Sequence, residues 1–487
     1  MSILNINTSS DYNLVKDVPE NITYNAELKE LYGEIHTPYW FIQKMYTIIP
    51  ECHFKNKELK WLDAGAGHGN YSICLFVILF HSLIAIIPDD NERKEHIIKN
   101  MIYMVEYNID NVSLLRKTFG ENGNIIHGDY IEWQTPIQFD FIIGNPPYNC
   151  NGIKKVPTKY DKDKKLDGKT IWTDFVKKNL SLLKDDGKMC VLIPSIWMKP
   201  DKAGMYELML QYNIERLHTL NSSEVNKLFG YHVQTPICYF ILSKRENKNK
   251  IKQIELYDDL KKDYISFVYK SELTPFLPIP LCFGSIVNKM LQVTNIYGKL
   301  NVIKTNMPGK NIHLNDTSND LYPYKNIRTT LLDKNKDPRI QIQYSNEKTL
   351  YHDHPKIIMA HKMYGFPYLD KEGEYGISTR DNYVVLDKSL TDMELIVEFL
   401  STDLILFLYE TTRYRMRYLE KYVFEYIPDF SKIPSAIQMY NNNRTRTHGD
   451  SSVNIYKIFG IDKKEQQFIE RYYNIKYGRC ANTINST

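Results

Sequence analysis

With 487 residues, 43% of them hydrophobic and 25% charged, the chain is too long for one ordinary core and too apolar for disorder, so two or three globular domains are expected. A formal net charge of +4 neither requires nor excludes a nucleic-acid partner, because basic residues can be gathered on one face. The cysteines, at 52, 74, 150, 190, 238, 282 and 480, form no CxxC pair and stand at no ligand spacing with histidines, which argues against structural zinc and for a reduced, intracellular, soluble chain.

Residues 1–25 are rich in Asn, Ser and Asp and predict an irregular segment without the apolar core of a signal peptide. Gly33-Glu34-Ile35-His36-Thr37-Pro38 precedes a helix-like run from Tyr39 to Ile49; Thr37 can cap that helix with Pro38 at its first position. Nothing nearby makes His36 a ligand or a base. Trp61-Leu62 reads as a strand end that opens into Asp63-Ala64-Gly65-Ala66-Gly67-His68-Gly69-Asn70. Its glycines permit a tight turn and close approach of a ligand to the backbone. A dinucleotide fingerprint would place its last Gly where Asn70 stands.

Ile73 to Pro88 is the most apolar stretch, yet too short for a membrane span and interrupted by His81 and Ser82. It predicts a buried helix or helix–strand segment, and no membrane partner is expected. A further helix fits Asn91 to Asn100. Ile102 to Val105 then reads as a strand ending in Glu106, although the interval from Gly69 exceeds the roughly 20 residues of a minimal unit. Asp89 and Glu92 are alternatives that lack a preceding strand end. Ile125-Ile126-His127-Gly128-Asp129-Tyr130 is another short strand ending in an acid. Phe141 to Ile143 is a buried strand that runs into Gly144-Asn145-Pro146-Pro147-Tyr148. Two prolines cannot continue a ladder, so the chain turns and presents an amide and an aromatic ring together. Open α/β sheets bind ligands at such strand ends.

Asn149 to Thr170 is polar, with seven lysines against three aspartates, and reads either as a solvated loop or as a flap that meets phosphates. A helix over Ile171 to Leu183, a stop at Asp185-Asp186-Gly187, and strands over Lys188–Pro194, Ile214–Leu220 and Thr235–Leu242 continue the sheet pattern. Trp197 and Met198 are expected to pack behind the site. The sheet is expected to end near Ser243, before the charged run Lys244 to Lys250. Beyond it, short strands (340–344, 356–360, 383–386) mix with helices (392–399, 403–410). Basic residues recur there, among them Lys325, Arg328, Lys334, Lys336, Arg339, Lys356, Lys362, Arg380, Arg415, Arg444 and Arg446; Arg413, Arg417 and Lys421 have the spacing of one helix face that could follow a nucleic-acid backbone.

Asn145-Pro146-Pro147-Tyr148 resembles the catalytic tetrapeptide of amino methyltransferases. With the Thr-Pro segment and the glycine loop before it, the chain resembles the DNA adenine-N6 methyltransferases of restriction–modification systems, specifically over residues 33–243 and diffusely from 250 to 475. The resemblance implies a Rossmann-like α/β sheet dependent on S-adenosylmethionine, followed by a C-terminal mixed α+β recognition domain. The expected division is 1–25 irregular, 26–243 catalytic, 244–252 linker, 253–475 target recognition and 476–487 tail. In this reading Thr37 closes over the methionine part of the cofactor, and Asp63 orients the loop or meets the methionine amino group through water. Gly65 and Gly67 cradle the cofactor, Glu106 accepts the ribose hydroxyls, and Asp129, with Tyr130 beside it, receives the cofactor's adenine. Asn145 also borders the cofactor; its side-chain oxygen and the Pro146 carbonyl accept the N–H bonds of the target amine, with Pro147 keeping the turn rigid. Tyr148 stacks on the flipped base. Phe229, or Tyr231 close by, supplies a second ring. Gly373 to Tyr383 resembles part of a target-recognition half, and Ile455 to Gly460 its closing element. The partner is double-stranded DNA, the chain is expected to be a monomer, and no Asp…Glu-x-Lys nuclease constellation is visible, so any restriction endonuclease of the same specificity would be separately encoded. Cytosine N4, RNA and protein glutamine remain alternative substrates, and an inactive DNA-binding subunit is the non-enzyme alternative.

Overall fold

The structure, a computed structural model, describes residues 35–150, 169–200, 204–230, 233–271, 277–332, 338–361, 366–415, 419–444 and 455–472. The chain divides into two compact units, 1–249 and 250–487.

The first unit opens with α1 (Tyr39–Tyr46), β1 (Trp61–Ala64), α2 (Asn70–Ser82) and α3 (Asp90–His96). It continues with β2 (Ile102–Glu106), α4 (Ile109–Phe119), β3 (Asn124–His127), β4 (Phe139–Gly144) and the two-residue strands β5 (Asn149–Cys150) and β6 (Lys169–Thr170). α5 (Trp172–Leu182), β7 (Leu183–Pro194), α6 (Met205–Leu210), β8 (Tyr212–Leu220), α7 (Ser222–Leu228) and β9 (Ile237–Glu246) complete it. The sheet order is β3-β2-β1-β4-β7-β9-β8. β1 runs parallel to β2 and β4, β2 to β3, and β4 to β7; β9 is antiparallel to both β7 and β8. The strand order reverses at β1, which makes a switch point between β1 and β4. This mixed α/β arrangement is consistent with the Rossmann-like topology expected from the sequence.

The long interval between Gly69 and Glu106 has a structural explanation. α2 is buried on every side except at His81, so the apolar run is a core helix that stops at Ser82 and contains no strand. α3 follows, capped by the Asp89 carboxylate on the Glu92 N–H (2.8 Å), and a π-turn over Ile97–Met101 leads into β2. Arg93 fastens this insertion. Its guanidinium is 1% exposed, lies 4.1 Å over the Phe80 ring and donates to the carbonyls of Ile87 (2.7 Å) and Pro88 (2.9 Å). At the far edge, β9 runs past Ser243 to Glu246. Trp197 and Met198 are fully buried, the indole N–H donating to Cys238 Sγ (3.2 Å).

The second unit begins with the hairpin β10 (Lys252–Asp258) and β11 (Asp263–Lys270) and with α8 (Gly284–Tyr297). Next come β12 (Ile303–Lys304), β13 (Leu314–Asn315), β14 (Tyr324–Leu332), β15 (Pro338–Ser345), β16 (Lys356–Ala360), β17 (Pro367–Asp370), β18 (Gly376–Ile377) and β19 (Asn382–Val385). They form two four-stranded sheets, β12-β19-β16-β17 and β13-β15-β14-β18. Ile358 and Val384 of the first meet Ile327 and Ile377 of the second in a common core. α9 (Leu390–Leu400), α10 (Asp403–Glu410) and α11 (Pro434–Arg444) follow.

Two sequence expectations fail in this unit. Arg413 lies beyond the end of α10, buried, with its guanidinium on Glu410 (Nε–Oε1 2.9 Å), and Lys421 opens a separate 3-10 turn. No helix among the described residues carries Arg413 and Lys421 on one face; Arg417 lies outside the described residues, as do Lys334, Lys336, Lys362 and Arg446. Lys356 is likewise unavailable to a backbone, being fully buried on Asp370 (2.6 Å). Among the described residues no helix is long and apolar enough to cross a membrane.

Candidate functional site

The parallel pairing of β1 to β4 sets their carboxyl ends side by side. Ala64 is in register with Val105, Glu106 with His127, and Asp63 with Ile143. A cavity of about 420 Å³ opens along this edge, within the range of small-molecule sites. Thr37, Gly65, Gly67, Glu106, Asp129, Tyr130, Asn145 and Pro147 line it. Among the described residues four acidic ones line it (Glu106, Asp129, Glu132 and Asp174), and no Lys or Arg does.

The glycine loop is shaped by β2. The N–H groups of Gly65 and Ala66 both donate to the Val105 carbonyl (3.0 Å each), and Gly67 donates to Glu106 Oε2 (2.7 Å). Glu106 Oε1 takes the Asn108 N–H (2.8 Å). One carboxylate thus ties the loop to the end of β2 while lining the cavity. Gly67 has a left-handed backbone (φ +55°) with open space where a Cβ would stand. Gly69 serves packing instead, since a Cβ there would lie 2.6 Å from Leu115 Cδ2. Asp89, the alternative to Glu106, caps α3 and does not line the cavity; neither does Glu92.

Asp63 stands behind the loop and does not line the cavity. It is 1% exposed, and its Oδ2 accepts from Ser72 Oγ (2.8 Å) and Ser72 N–H (3.2 Å) at the start of α2. Burial pushes its carboxyl up to about 7, opposed by the Ser72 bonds and reinforced by the charge of Glu106. Asp129 is exposed and turns its Oδ1 onto the Ile131 N–H (2.8 Å). Tyr130 is buried and donates to Asn179 Oδ1 (2.6 Å), presenting its ring to Phe175 at 5.0 Å.

Thr37 does not cap α1. Pro38 takes the cap position without a side-chain bond, and the Thr37 hydroxyl faces Asn145 instead, accepting from Nδ2 at 3.2 Å. Asn145 Nδ2 also reaches the Ile35 carbonyl (3.4 Å), while Asn145 Oδ1 is buried without a hydrogen-bond partner. A carbonyl oxygen can only accept, so the amide edge facing Ile35 must be the NH₂, and Oδ1 points the other way. Pro146 is buried. Tyr148 is half-buried and outside the cavity lining; its hydroxyl donates to the Leu192 carbonyl (3.5 Å) and its own carbonyl accepts from Ile171 (3.1 Å). Phe229 is buried at the C-cap of α7 and is not a lining residue; Tyr231, Gly33, Glu34 and most of the lysine-rich segment (151–168) lie outside the described residues.

Sequence reasoning missed Ile171, Asp174 and Phe175, which line the cavity from the start of α5. Phe175 has the helical spacing of one more core residue. What brings it here is the pairing of Asn149 with Thr170, which returns the chain to the tetrapeptide. Nothing local in the sequence signals that return. His36 and His68 also line the cavity, ring centroids 4.0 Å apart; burial, then the neighbouring His68, lowers the His36 pKa to about 4.

Residues 72–226 match the family model described as Eco57I restriction-modification methylase. The chain is 29% identical over 82 residues to a tRNA1(Val) (adenine(37)-N6)-methyltransferase of Flavobacteriaceae bacterium (strain 3519-10), a match covering 17% of this chain and 34% of that relative. The matched region therefore spans about a third of the curated relative's length. Among solved structures, the chain is similar to a nuclease-deletion mutant of the Type ISP restriction-modification enzyme LlaGI in complex with a DNA substrate mimic (12% identity, TM-score 0.45, 84% of this chain and 46% of that one). It is also similar to a modification subunit of a putative type I restriction enzyme from Vibrio vulnificus YJ016 (14% identity, TM-score 0.35, 46% and 47%).

Proposed function

We propose that the chain transfers a methyl group from S-adenosylmethionine to the N6 amino group of adenine in duplex DNA, with the base flipped out of the stack. The observation that carries this reading is the buried, partnerless Oδ1 of Asn145, a residue that lines an acidic cavity. An unmet buried acceptor costs about 1–3 kcal/mol, and an amine N–H is the group that would satisfy it. The lining fits a cation. The four carboxylates among the described lining residues suit a sulfonium and an ammonium group.

S-adenosylmethionine, when bound, supplies an electrophilic methyl group. Gly65 and Gly67 let it approach the backbone, Glu106 accepts its ribose hydroxyls, and Asp129, Tyr130 and Phe175 surround its adenine. Asn145 Oδ1 and the Pro146 carbonyl accept the N–H bonds of the target amine. They return lone-pair density to the nitrogen and stabilise the positive charge that grows there. The proton is lost afterwards. Tyr148, with Phe229 or Tyr231 as the second ring, holds the flipped base. In the second unit, exposed Arg328 and Arg380 are brought near each other because Thr379 Oγ1 and Asn382 Nδ2 both donate to the Arg328 carbonyl (2.7 and 3.1 Å). They are assigned to phosphate contacts.

The activity named for the tRNA methyltransferase relative supports a second reading, in which the same amine is presented by RNA. One experiment separates the two. The protein is incubated with labelled S-adenosylmethionine and either mixed-sequence duplex DNA or RNA, and the nucleosides are analysed. Label in N6-methyladenine from DNA is expected; label only in RNA would overturn the DNA reading. Asn145→Ala should abolish transfer while cofactor binding, measured by calorimetry, stays within about threefold, since the change removes a single polar contact and leaves the carboxylates in place.

A further inference from the structure

Asn145 is held from behind by a segment far away in sequence. Both hydrogens of its amide are directed at residues 35–37, through the Ile35 carbonyl and Thr37 Oγ1. Thr37 is itself fixed. It is 2% exposed, its carbonyl accepts from Asn70 Nδ2 (2.9 Å), and the Tyr71 hydroxyl lies 3.4 Å from its Oγ1. Asn70 and Tyr71 begin α2, directly after the glycine loop.

We propose that Thr37 is a positioning residue, whose hydroxyl, with the Ile35 carbonyl, selects the one Asn145 orientation that turns Oδ1 toward the amine. The inference rests on the reading of Asn145 as amine acceptor. An amide is pseudo-symmetric in shape, so packing alone would admit the flipped form with NH₂ facing the amine, where two donors would oppose each other. The Ile35 carbonyl, which can only accept, removes that alternative, and the Thr37 hydroxyl, accepting here, adds a second bond to the same form. They also dictate amide over acid at position 145, because a carboxylate would set an oxygen against the Ile35 carbonyl. The glycine loop, the 35–38 segment and the β4 loop are joined through these bonds, so the cofactor side and the amine side share one support.

The test compares the full chain with Thr37→Val and Thr37→Ser. Val keeps the shape without the acceptor; Ser keeps the acceptor. Single-turnover transfer from S-adenosylmethionine to duplex DNA is expected to fall about 10- to 100-fold in Thr37→Val, the scale of a misplaced catalytic group. Thr37→Ser should stay within about threefold of the parent, and cofactor affinity by calorimetry should change by no more than that in either variant. A Thr37→Val rate equal to the parent's overturns the proposal while leaving the amine-acceptor reading intact. So does a parallel loss of rate and cofactor affinity, which would make Thr37 a cofactor contact only. A parent that transfers no methyl defeats the reading itself. The positioning is then judged by side-chain amide exchange in protein labelled with ¹⁵N-asparagine, the Asn145 signals being identified by their absence in Asn145→Asp. Exchange at least about 10-fold faster in Thr37→Val is expected, and equal exchange overturns the proposal.

Discussion

Replacing Glu106 with Gln tests the site at its most connected point. The side chain is 8% exposed and receives backbone N–H bonds on both oxygens, from Gly67 at 2.7 Å and Asn108 at 2.8 Å. Gln has the same shape but only one acceptor, so its NH₂ must oppose one of those N–H groups. A hydrogen bond to a charged group contributes about 1.5–3 kcal/mol, so the variant should lose that much stability by urea unfolding. The Gly67 amide belongs to the loop that receives the cofactor, and in the proposed complex the same carboxylate accepts the ribose hydroxyls. Cofactor affinity should therefore fall as well. At 1.4 kcal/mol per decade the loss is roughly 10- to 150-fold, read by calorimetric titration with S-adenosylmethionine. A variant that binds as tightly as the parent and unfolds at the same urea concentration would refute the assignment of Glu106 to both tasks.

Asp63, raised to about 7 by burial, gives a pH test. A folded pKa above the unfolded one means that the folded chain holds an extra proton between about pH 4 and 7, so stability from this group is full below the unfolded value and is lost as pH rises through 7. Asp63→Asn should flatten that decline; urea midpoints at pH 5 and 8 that differ equally in both proteins would refute it. Removing Arg328 and Arg380 together should weaken duplex binding uniformly across sequences. The slope of log affinity against log salt should fall by about one for each phosphate left without its arginine, with cofactor affinity unchanged. An unchanged slope assigns phosphate binding to other residues. Gly376→Ala would put a Cβ 2.0 Å from Thr349 Oγ1 and 2.5 Å from Asn326 Oδ1, both buried. Overpacking of about 1–3 kcal/mol should lower the melting temperature measured by calorimetry, and an unaltered melting curve would contradict the packing described.

Four parts of the site are legible in the residues themselves, because strand ends announce themselves locally. Trp61-Leu62 before the glycines, Ile102 to Val105 before Glu106, Ile125-Ile126 before Asp129 and Phe141 to Ile143 before Asn145 each pair an apolar run with glycine or a polar side chain at its carboxyl end. Their order along the chain suffices to anticipate a parallel sheet with one populated edge. Other features depend on partners distant in sequence. Thr37 looks like a helix cap, which is a local role, but its hydroxyl meets Asn145, 108 positions on. Phe175 has the spacing of a core residue, and only the Asn149–Thr170 pairing sets it on the cavity. Arg413 and Lys356 count as free charges in a sequence, yet burial commits them to Glu410 and Asp370. Residue type and spacing settle where the chain turns and what chemistry stands at the turn. Which direction an amide faces, and which charges remain for a partner, are decided by non-local contacts, because only the folded chain removes the competing water.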